Sequence, residues 1–249
     1  MPITIETVTM PSGATGALYT PHAEASPTLL LLAMAGADTL ATEPYCRVGR
    51  LLYERGWNVA SLDLPCHGAD ARSGEPRELE GWAARCASGE DFVAPFRERV
   101  NELVAYLVSA GMADPKRIAA AGTSRGGFMA FHAAAGNRAI RAAAAFAPVT
   151  DLIALREFTG QERNPVVKPL ALVNTTRLLS HCAGWIIIGD SDTRVDTRSA
   201  VTFAQALVDE HGASAIKSAD MVRVVPIPGH NSIPEWHDEA AQWLVDAIL

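Results

Sequence analysis

The 249-residue sequence predicts an α/β fold: a mainly parallel sheet of about eight strands, an antiparallel hairpin at its N-terminal edge, and helices on both faces. Three observations predict it. Apolar, β-branched runs alternate with stretches of helical period along most of the chain. One of these runs, residues 28–34, is apolar almost without interruption, as expected of a strand buried on both faces. With 49% hydrophobic residues, the chain can also bury the substantial core that one large domain needs. Strands alternating with helices favour parallel pairing, because each crossover helix must pack back onto the sheet.

The elements follow in order. Residues 3–9 alternate apolar and polar with period two and read as a strand. Residues 16–20 are its hairpin partner across Pro11-Ser12-Gly13. After the strand at 28–34, residues 45–55 have helical period and end at Gly56, a natural C-cap. Residues 58–63 are the next strand. Residues 66–80, rich in Gly, Pro and charge, read as loop. A long amphipathic helix over 92–109 is stopped by Gly111. A strand over 117–123, a helix over 125–135 and a strand over 140–146 follow. Strands over 185–189 and 222–227 and helices over 198–210 and 234–248 complete the alternation.

The one long interruption is residues 150–182. Val166, Val167, Leu170, Leu172 and Val173 suggest helices there. The segment is expected to form a small helical cap over the C-terminal edge of the sheet, where open α/β sheets bind ligands. Without repeats, low-complexity tracts or linkers, residues 1–249 read as a single domain carrying that insertion.

Chemistry concentrates at Gly122-Thr123-Ser124-Arg125-Gly126. A bare GxSxG is a weak signal, but this one follows a buried strand and opens a helix. That context suits a sharp turn whose flanking positions have no room for side chains. The turn exposes the Ser124 hydroxyl, and the helix start behind it offers positive potential and the free Arg125 N–H to an oxyanion. A serine hydroxyl needs a base to take its proton. His230, in Pro228-Gly229-His230-Asn231 directly after the last strand, falls at the same sheet edge. His132 lies inside the helix after Ser124. His22, His67, His181 and His211 precede the final strand, and His237 lies in or beside the last helix.

The third member is an acid that fixes the imidazole tautomer and stabilises the imidazolium. Residues 189–196 offer Asp190, Asp192 and Asp196. Asp190 sits at the strand end and Asp196 is placed to N-cap the next helix. Asp192, in the middle of the loop, is therefore preferred, with Asp151 after the preceding strand as the substitute.

These motifs resemble the α/β-hydrolase superfamily, in particular the dienelactone-hydrolase-like and prolyl-oligopeptidase-like catalytic domains. The resemblance runs from about residue 28 to 249. It is carried by Ala121 to Gly127, by Pro148-Val149-Thr150-Asp151-Leu152, by Gly189-x-x-Asp192-x-x-Val195 and by Gly229-His230. Leu62-Asp63 through Cys66-His67-Gly68 is similar to the family's Asp-x-x-Gly-His-Gly loop. The resemblance implies the acid at Asp192, in agreement with the choice above. It also implies a second oxyanion donor in the loop after residues 28–34. That loop reads Ala33-Met34-Ala35-Gly36-Ala37 where the family usually has His-Gly, and Ala35 is the expected donor. Dienelactone hydrolases use Cys where this chain has Ser124, which favours ester hydrolysis. The length leaves no room for a propeller, so a gated peptidase is not expected.

The remaining features narrow the field. A formal charge of −7 lacks the basic footprint of a nucleic-acid binder. Cys46, Cys66, Cys86 and Cys182 form no CxxC pair and read as reduced, partly buried thiols. The N-terminus has no signal-peptide pattern and no stretch is long enough to span a membrane, so a cytoplasmic location is expected. No HxH, HxxxH or HExxH grouping suggests a metal, and no cofactor is expected. Trp82, Trp185, Trp236 and Trp243 are expected in the core or on helix faces. The Arg125 side chain is expected at the surface or in a salt bridge. The expected partner is a small-molecule ester. Arg156, Glu157, Glu162, Arg163, Lys168 and Arg177 make the 150–182 segment a poor lipid-facing lid, which points to short acyl chains.

Overall fold

A computed structural model describes residues 3–22, 25–212 and 222–248. Among them are eight strands, β1 (Ile5–Thr9), β2 (Thr15–Tyr19), β3 (Ser26–Leu32), β4 (Asn58–Leu62), β5 (Ala113–Thr123), β6 (Ile140–Phe146), β7 (Ala183–Ser191) and β8 (Val222–Pro228). They form one sheet in the order β1-β2-β4-β3-β5-β6-β7-β8. β1 pairs with β2 and β2 with β4 antiparallel. Every other pair is parallel. This is the mainly parallel α/β sheet that the alternation and the N-terminal hairpin predict, in the arrangement that the resemblance to α/β-hydrolases implies.

The helices are α1 (Gly36–Ala41), α2 (Arg47–Tyr53), α3 (Glu78–Ala87), α4 (Val93–Ser109), α5 (Arg125–Gly136), α6 (Val167–Leu170), α7 (Thr197–His211) and α8 (Pro234–Ile248). β4 is buried at every position and β6 at all but Arg141, so helices cover both faces of the central strands. Leu29, Leu30, Leu31 and Leu32 of β3 are at most 1% exposed, each contributing about 2 kcal/mol by burial. The middle of the sheet is built from alanine: Ala119–Ala121 of β5 lie beside Ala142–Ala145 of β6. Such short side chains let α5 approach closely, and a Cβ on Gly127 would already come within 3.0 Å of the Ala145 Cβ.

Two helices appear where loop is the sequence expectation. α1 occupies the segment after β3, and α3 begins within the stretch 66–80. α3 is fixed by tertiary contacts rather than by local pattern. Trp82 is fully buried with its indole N–H donating to the Pro65 carbonyl at 2.7 Å. Arg85, 5% exposed, binds Asp70 and Glu75. Residues 150–182 form 3₁₀ turns at Leu152–Ala154, Arg156–Phe158 and Leu172–Leu179, together with the four-residue α6. The last of these turns packs against α5 and α7.

All four cysteines are buried and unpaired. Trp82, Trp185 and Trp236 are core residues, with Trp243 packed against them from the rim. Among the described residues, no helix is long and apolar enough to cross a membrane.

Candidate active site

Ser124 follows β5, Asp192 follows β7 and His230 follows β8, so three parallel strands deliver them to the same edge. The turn at Ser124 is sharp: its φ of 55° lies in the left-handed region that a non-glycine residue rarely adopts. Surrounding contacts hold that conformation. The Ser124 N–H donates to the Phe146 carbonyl at 2.8 Å, and its carbonyl accepts from Val149 at 3.1 Å and Gly127 at 3.0 Å. The flanking glycines are sterically required. A Cβ on Gly122 would lie 2.3 Å from the Gly126 backbone, and one on Gly126 would lie 1.8 Å from the Leu32 carbonyl oxygen.

The three side chains form a continuous row. His230 Nε2 is 2.9 Å from Ser124 Oγ, and His230 Nδ1 is 2.8 Å from Asp192 Oδ2. The Asp192 side chain is fully buried. Its other oxygen accepts from the Arg194 and Val195 backbone N–H groups at 2.9 and 3.2 Å. Burial alone would raise the carboxyl pKa. The hydrogen bond and charge of His230, with the two backbone donors, outweigh it and hold Asp192 below the usual carboxylate range. A carboxylate fixed in this way favours the tautomer with a proton on Nδ1, which leaves the Nε2 lone pair facing the serine hydroxyl. The acid and histidine loops are held together by a close approach. A Cβ on Gly189 would fall 2.2 Å from the Ile227 carbonyl oxygen.

The competing carboxylates are otherwise committed. Asp196 caps α7 through the Arg198 and Ser199 N–H groups. Asp151 caps the turn at Leu152. Asp190 is exposed and accepts from Ser191.

A pocket of about 320 Å³ opens over the serine. Thr123, Ser124 and His230 form its floor, and Tyr45, Leu79 and Arg194 stand on its walls. Two arginines line it, and each is paired. Arg125 donates through Nε to the Ala33 carbonyl at 3.0 Å and binds Glu78 at 2.7 Å. Arg194 holds Glu157 with two bonds of 2.9 and 2.7 Å. The Arg125 side chain is therefore in a salt bridge, one of its two expected placements.

The Arg125 backbone N–H lies in the first turn of α5 directly behind the serine. In the loop after β3, the Met34 N–H donates to Thr39 and the Gly36 N–H to Asp63. The Ala35 N–H between them has no such described acceptor. However, Ala33 rather than Ala35 lines the serine pocket, while Ala35 faces a smaller pocket beside His67 and Glu78.

Residues 150–182 supply no lining residue of this pocket. The segment reaches the site through Glu157, which is 6% exposed and anchors Arg194 from behind. Glu157, one of the charges that make the segment a poor lipid lid, thus also bonds it to the acid loop. Tyr45, Leu79, Asn231 and Ser232 of the pocket carried no motif. Asp63 was visible only as part of a loop pattern. Its two oxygens accept from Gly36 and Ala69 N–H groups at 2.7 Å each, tying the loop after β3 to the residue 63–70 loop. Among the described residues, no three His, Cys, Asp or Glu side chains are grouped to hold a metal ion.

Comparison with known proteins agrees with this architecture. The sequence model of the prolyl oligopeptidase family matches residues 96–248, more than half of the chain. No curated protein matches. Among solved structures, TT1662 from Thermus thermophilus superposes with a TM-score of 0.72 at 19% identity, over 100% of this chain and 99% of that one. The Pyrococcus furiosus esterase Pf2001 gives 0.68 at 18%, covering 100% and 94%. Porphyromonas gingivalis dipeptidyl peptidase 4 gives 0.71 at 15%, covering 99% of this chain but 35% of that one. The chain thus spans between a third and two fifths of the length of the first peptidase structures that it matches.

Proposed function

The chain belongs to the prolyl oligopeptidase family of α/β-hydrolase serine hydrolases, and from that premise we propose that it cleaves carboxylic esters of small to medium acyl groups. The observation that carries the reading is the row from Ser124 Oγ through His230 to buried Asp192, set at the floor of a compact pocket.

In the proposed reaction, His230 Nε2 takes the Ser124 proton as Oγ attacks the ester carbonyl carbon. The oxyanion accepts from the Arg125 N–H and a donor in the Ala35 loop. His230 then gives its proton to the departing alkoxide, which leaves as the alcohol. Water repeats the cycle on the acyl-enzyme, with His230 taking the water proton and returning it to Ser124 Oγ as the acid departs. Asp192 keeps the imidazole oriented and stabilises its charge in both halves.

A pocket of this size, walled by Tyr45, Leu79 and paired arginines, suits acyl chains of a few methylenes, each worth about 0.8 kcal/mol when buried. Rates are therefore expected to peak among acetyl to butyryl p-nitrophenyl esters and to fall at octanoyl and palmitoyl. A steady climb to palmitoyl would overturn the short-chain assignment.

The family and the dipeptidyl peptidase neighbours support peptide hydrolysis on the same triad as the second reading. Aminoacyl p-nitroanilides discriminate, since a peptidase cleaves them at a substantial rate and an esterase leaves them nearly intact. The triad itself is tested with a fluorophosphonate probe. Ser124 is expected to be the labelled residue, and Ser124→Ala to lose both labelling and hydrolysis. Label found elsewhere, or full activity in the mutant, would sink the assignment.

A further inference from the structure

We propose that His237 is a positioning residue that fastens the loop carrying His230 to the strand end carrying the nucleophile, an inference that rests on the triad of the proposed function. Among the described residues, β8, which delivers His230, pairs only with β7, and none of its residues is fully buried. Burial of the strand therefore cannot by itself place the histidine. The loop after it is held at two points. The Asn231 side-chain amide donates back to the Pro228 carbonyl at 2.6 Å, closing the turn. Ser232 Oγ lies 2.8 Å from His237 Nε2.

His237 is itself rigidly placed. It is 0% exposed in the first turn of α8. Its ring stacks on Phe146 with centroids 4.0 Å apart and planes 19° from parallel. Phe146 ends β6, and its carbonyl is the acceptor of the Ser124 N–H. Trp185 of β7 packs edge-on against the other side of this cluster, with its ring centroid 5.8 Å from that of Phe146. A chain of contacts thus runs from the Ser124 backbone to Phe146, to the His237 ring, to Ser232 and so to His230. It is separate from the Ser124–His230 hydrogen bond, and it fixes the distance that this bond needs.

The chemistry of the ring agrees with the role. Burial first, then the Arg47 charge, pushes the His237 pKa down to about 4, so the imidazole is neutral in working conditions. Its Nδ1 has no hydrogen-bond partner. A phenylalanine would fill the same stack and leave no unpaired ring nitrogen. The one interaction that requires a histidine here is the bond to Ser232.

The experiment uses the full chain and four variants, His237→Phe, His237→Gln, Ser232→Ala and the double His237→Phe/Ser232→Ala. Each is read by p-nitrophenyl butyrate kinetics, by the rate of fluorophosphonate labelling at Ser124, and by Tm. His237→Phe keeps the stack and is expected to keep or raise Tm. Its kcat and labelling rate should fall between about tenfold and a hundredfold, with KM within about twofold, as for a misplaced catalytic group. Ser232→Ala should show the same loss, and the double variant no more than either single one. His237→Gln, whose amide reaches the Nε2 position, should recover most of the loss.

Wild-type kcat and labelling in His237→Phe, fully additive losses, or a loss that tracks Tm and is not recovered by Gln would overturn the proposal. A wild-type chain that neither hydrolyses the ester nor labels at Ser124 would instead overturn the triad on which it rests. Wild-type labelling matched by equally fast labelling of His237→Phe overturns the brace alone.

Discussion

The pocket has two walls, and they are built differently. The wall carrying Ser124 and Asp192 is held mainly by backbone, with side-chain bonds from Asn231 and Ser232 placing the His230 loop beside it. It uses glycine close approaches at Gly126 and Gly189, amide bonds onto Asp192, and the Ser124 N–H on Phe146. The opposite wall, from Ala33 to Tyr45 and from Asp63 to Leu79, is held by charged side chains. Arg85 joins Asp70 and Glu75, Arg72 joins Glu90, Arg99 joins Asp70 and Arg125 joins Glu78. Backbone contacts fix atoms to fractions of an ångström and do not change with salt or mild acid. Ion pairs at the rim are weak and screened, and stay strong only where they are buried. The Ser124 and Asp192 side is thus the stiffer of the two, and the ion-paired side the more adjustable. The difference predicts which variants change turnover and which change only binding or stability.

Asp192→Asn should give the largest effect and act on the backbone-held wall alone. Asparagine keeps the shape but offers His230 the wrong tautomer, and kcat should fall by about 10⁴ with Tm nearly unchanged. Asp190→Asn should be near neutral. Asp196→Asn, which alters a cap, should change activity little. Steady-state kinetics on the three variants decide the matter, and a crippled Asp151→Asn with an active Asp192→Asn would move the acid to the preceding strand.

Arg85→Ala attacks the other wall at its buried centre. Removing the buried cation leaves Asp70 to Arg99 alone and Glu75 to the more distant Arg72, and should cost about 3 kcal/mol, lowering Tm by roughly 10 °C. The surviving folded fraction should label at Ser124 with a near-normal rate. If the labelling rate per folded molecule collapses as well, the two walls are not independent.

Acid should weaken the fold before it weakens the ion pairs. Burial, with Arg97 nearby, pushes His132 down to about 3, and His237 lies at about 4. The unfolded chain binds these protons from about pH 6.5 downward and the folded chain does not. Stability is therefore fully present above that pH and falls as pH drops toward 4. Glu75, held down to about 2 chiefly by Arg85, and Asp192 add their losses only below the ordinary carboxylate range. Tm measured from pH 8 to 4.5 should decline below 6.5, and His237→Phe should make that decline shallower.

Glu78→Gln should have the smallest effect. Glu78 is 53% exposed, and the Arg125 guanidinium keeps its bond to the Ala33 carbonyl. A change of less than about fivefold in KM is expected, corresponding to at most ~1 kcal/mol. The wild-type KM should respond to added salt more than the variant's. A large drop in kcat would place Glu78 in contact with the reaction.

The same division governs what could be read from the sequence. Ser124 and His230 were legible because a steric requirement leaves glycines in fixed positions, and because the histidine must follow the last strand. Asp192 emerged from its neighbours, one at a strand end and one capping a helix, and the structure places Asp190 and Asp196 in those positions. The ion-paired wall left no such pattern. α3 was missed because Glu78 to Ala87 holds Gly81 among charges, and its stability comes from Arg85 and Trp82 reaching back to residues 65–75. The 150–182 segment offers apolar residues that suggest helices, yet it folds mostly as 3₁₀ turns, the last of which packs on α5 and α7. The Ser232–His237 bond joins two ordinary residues whose meaning appears only when Phe146, ninety positions earlier, stacks beneath them.

The pairing of both pocket arginines has a consequence for what happens after the chemistry. Ester cleavage turns a neutral substrate into an acid that ionises as it forms. An unmatched guanidinium at the mouth would hold that anion and slow the next cycle. Here Glu78 and Glu157 already neutralise Arg125 and Arg194. The departing carboxylate meets no spare positive charge among the lining residues, while a chain of net charge −7 surrounds it. On the proposed esterase reading the site is arranged to let go of its acid product, so simple carboxylates such as acetate and butyrate should be poor inhibitors even where their esters are good substrates.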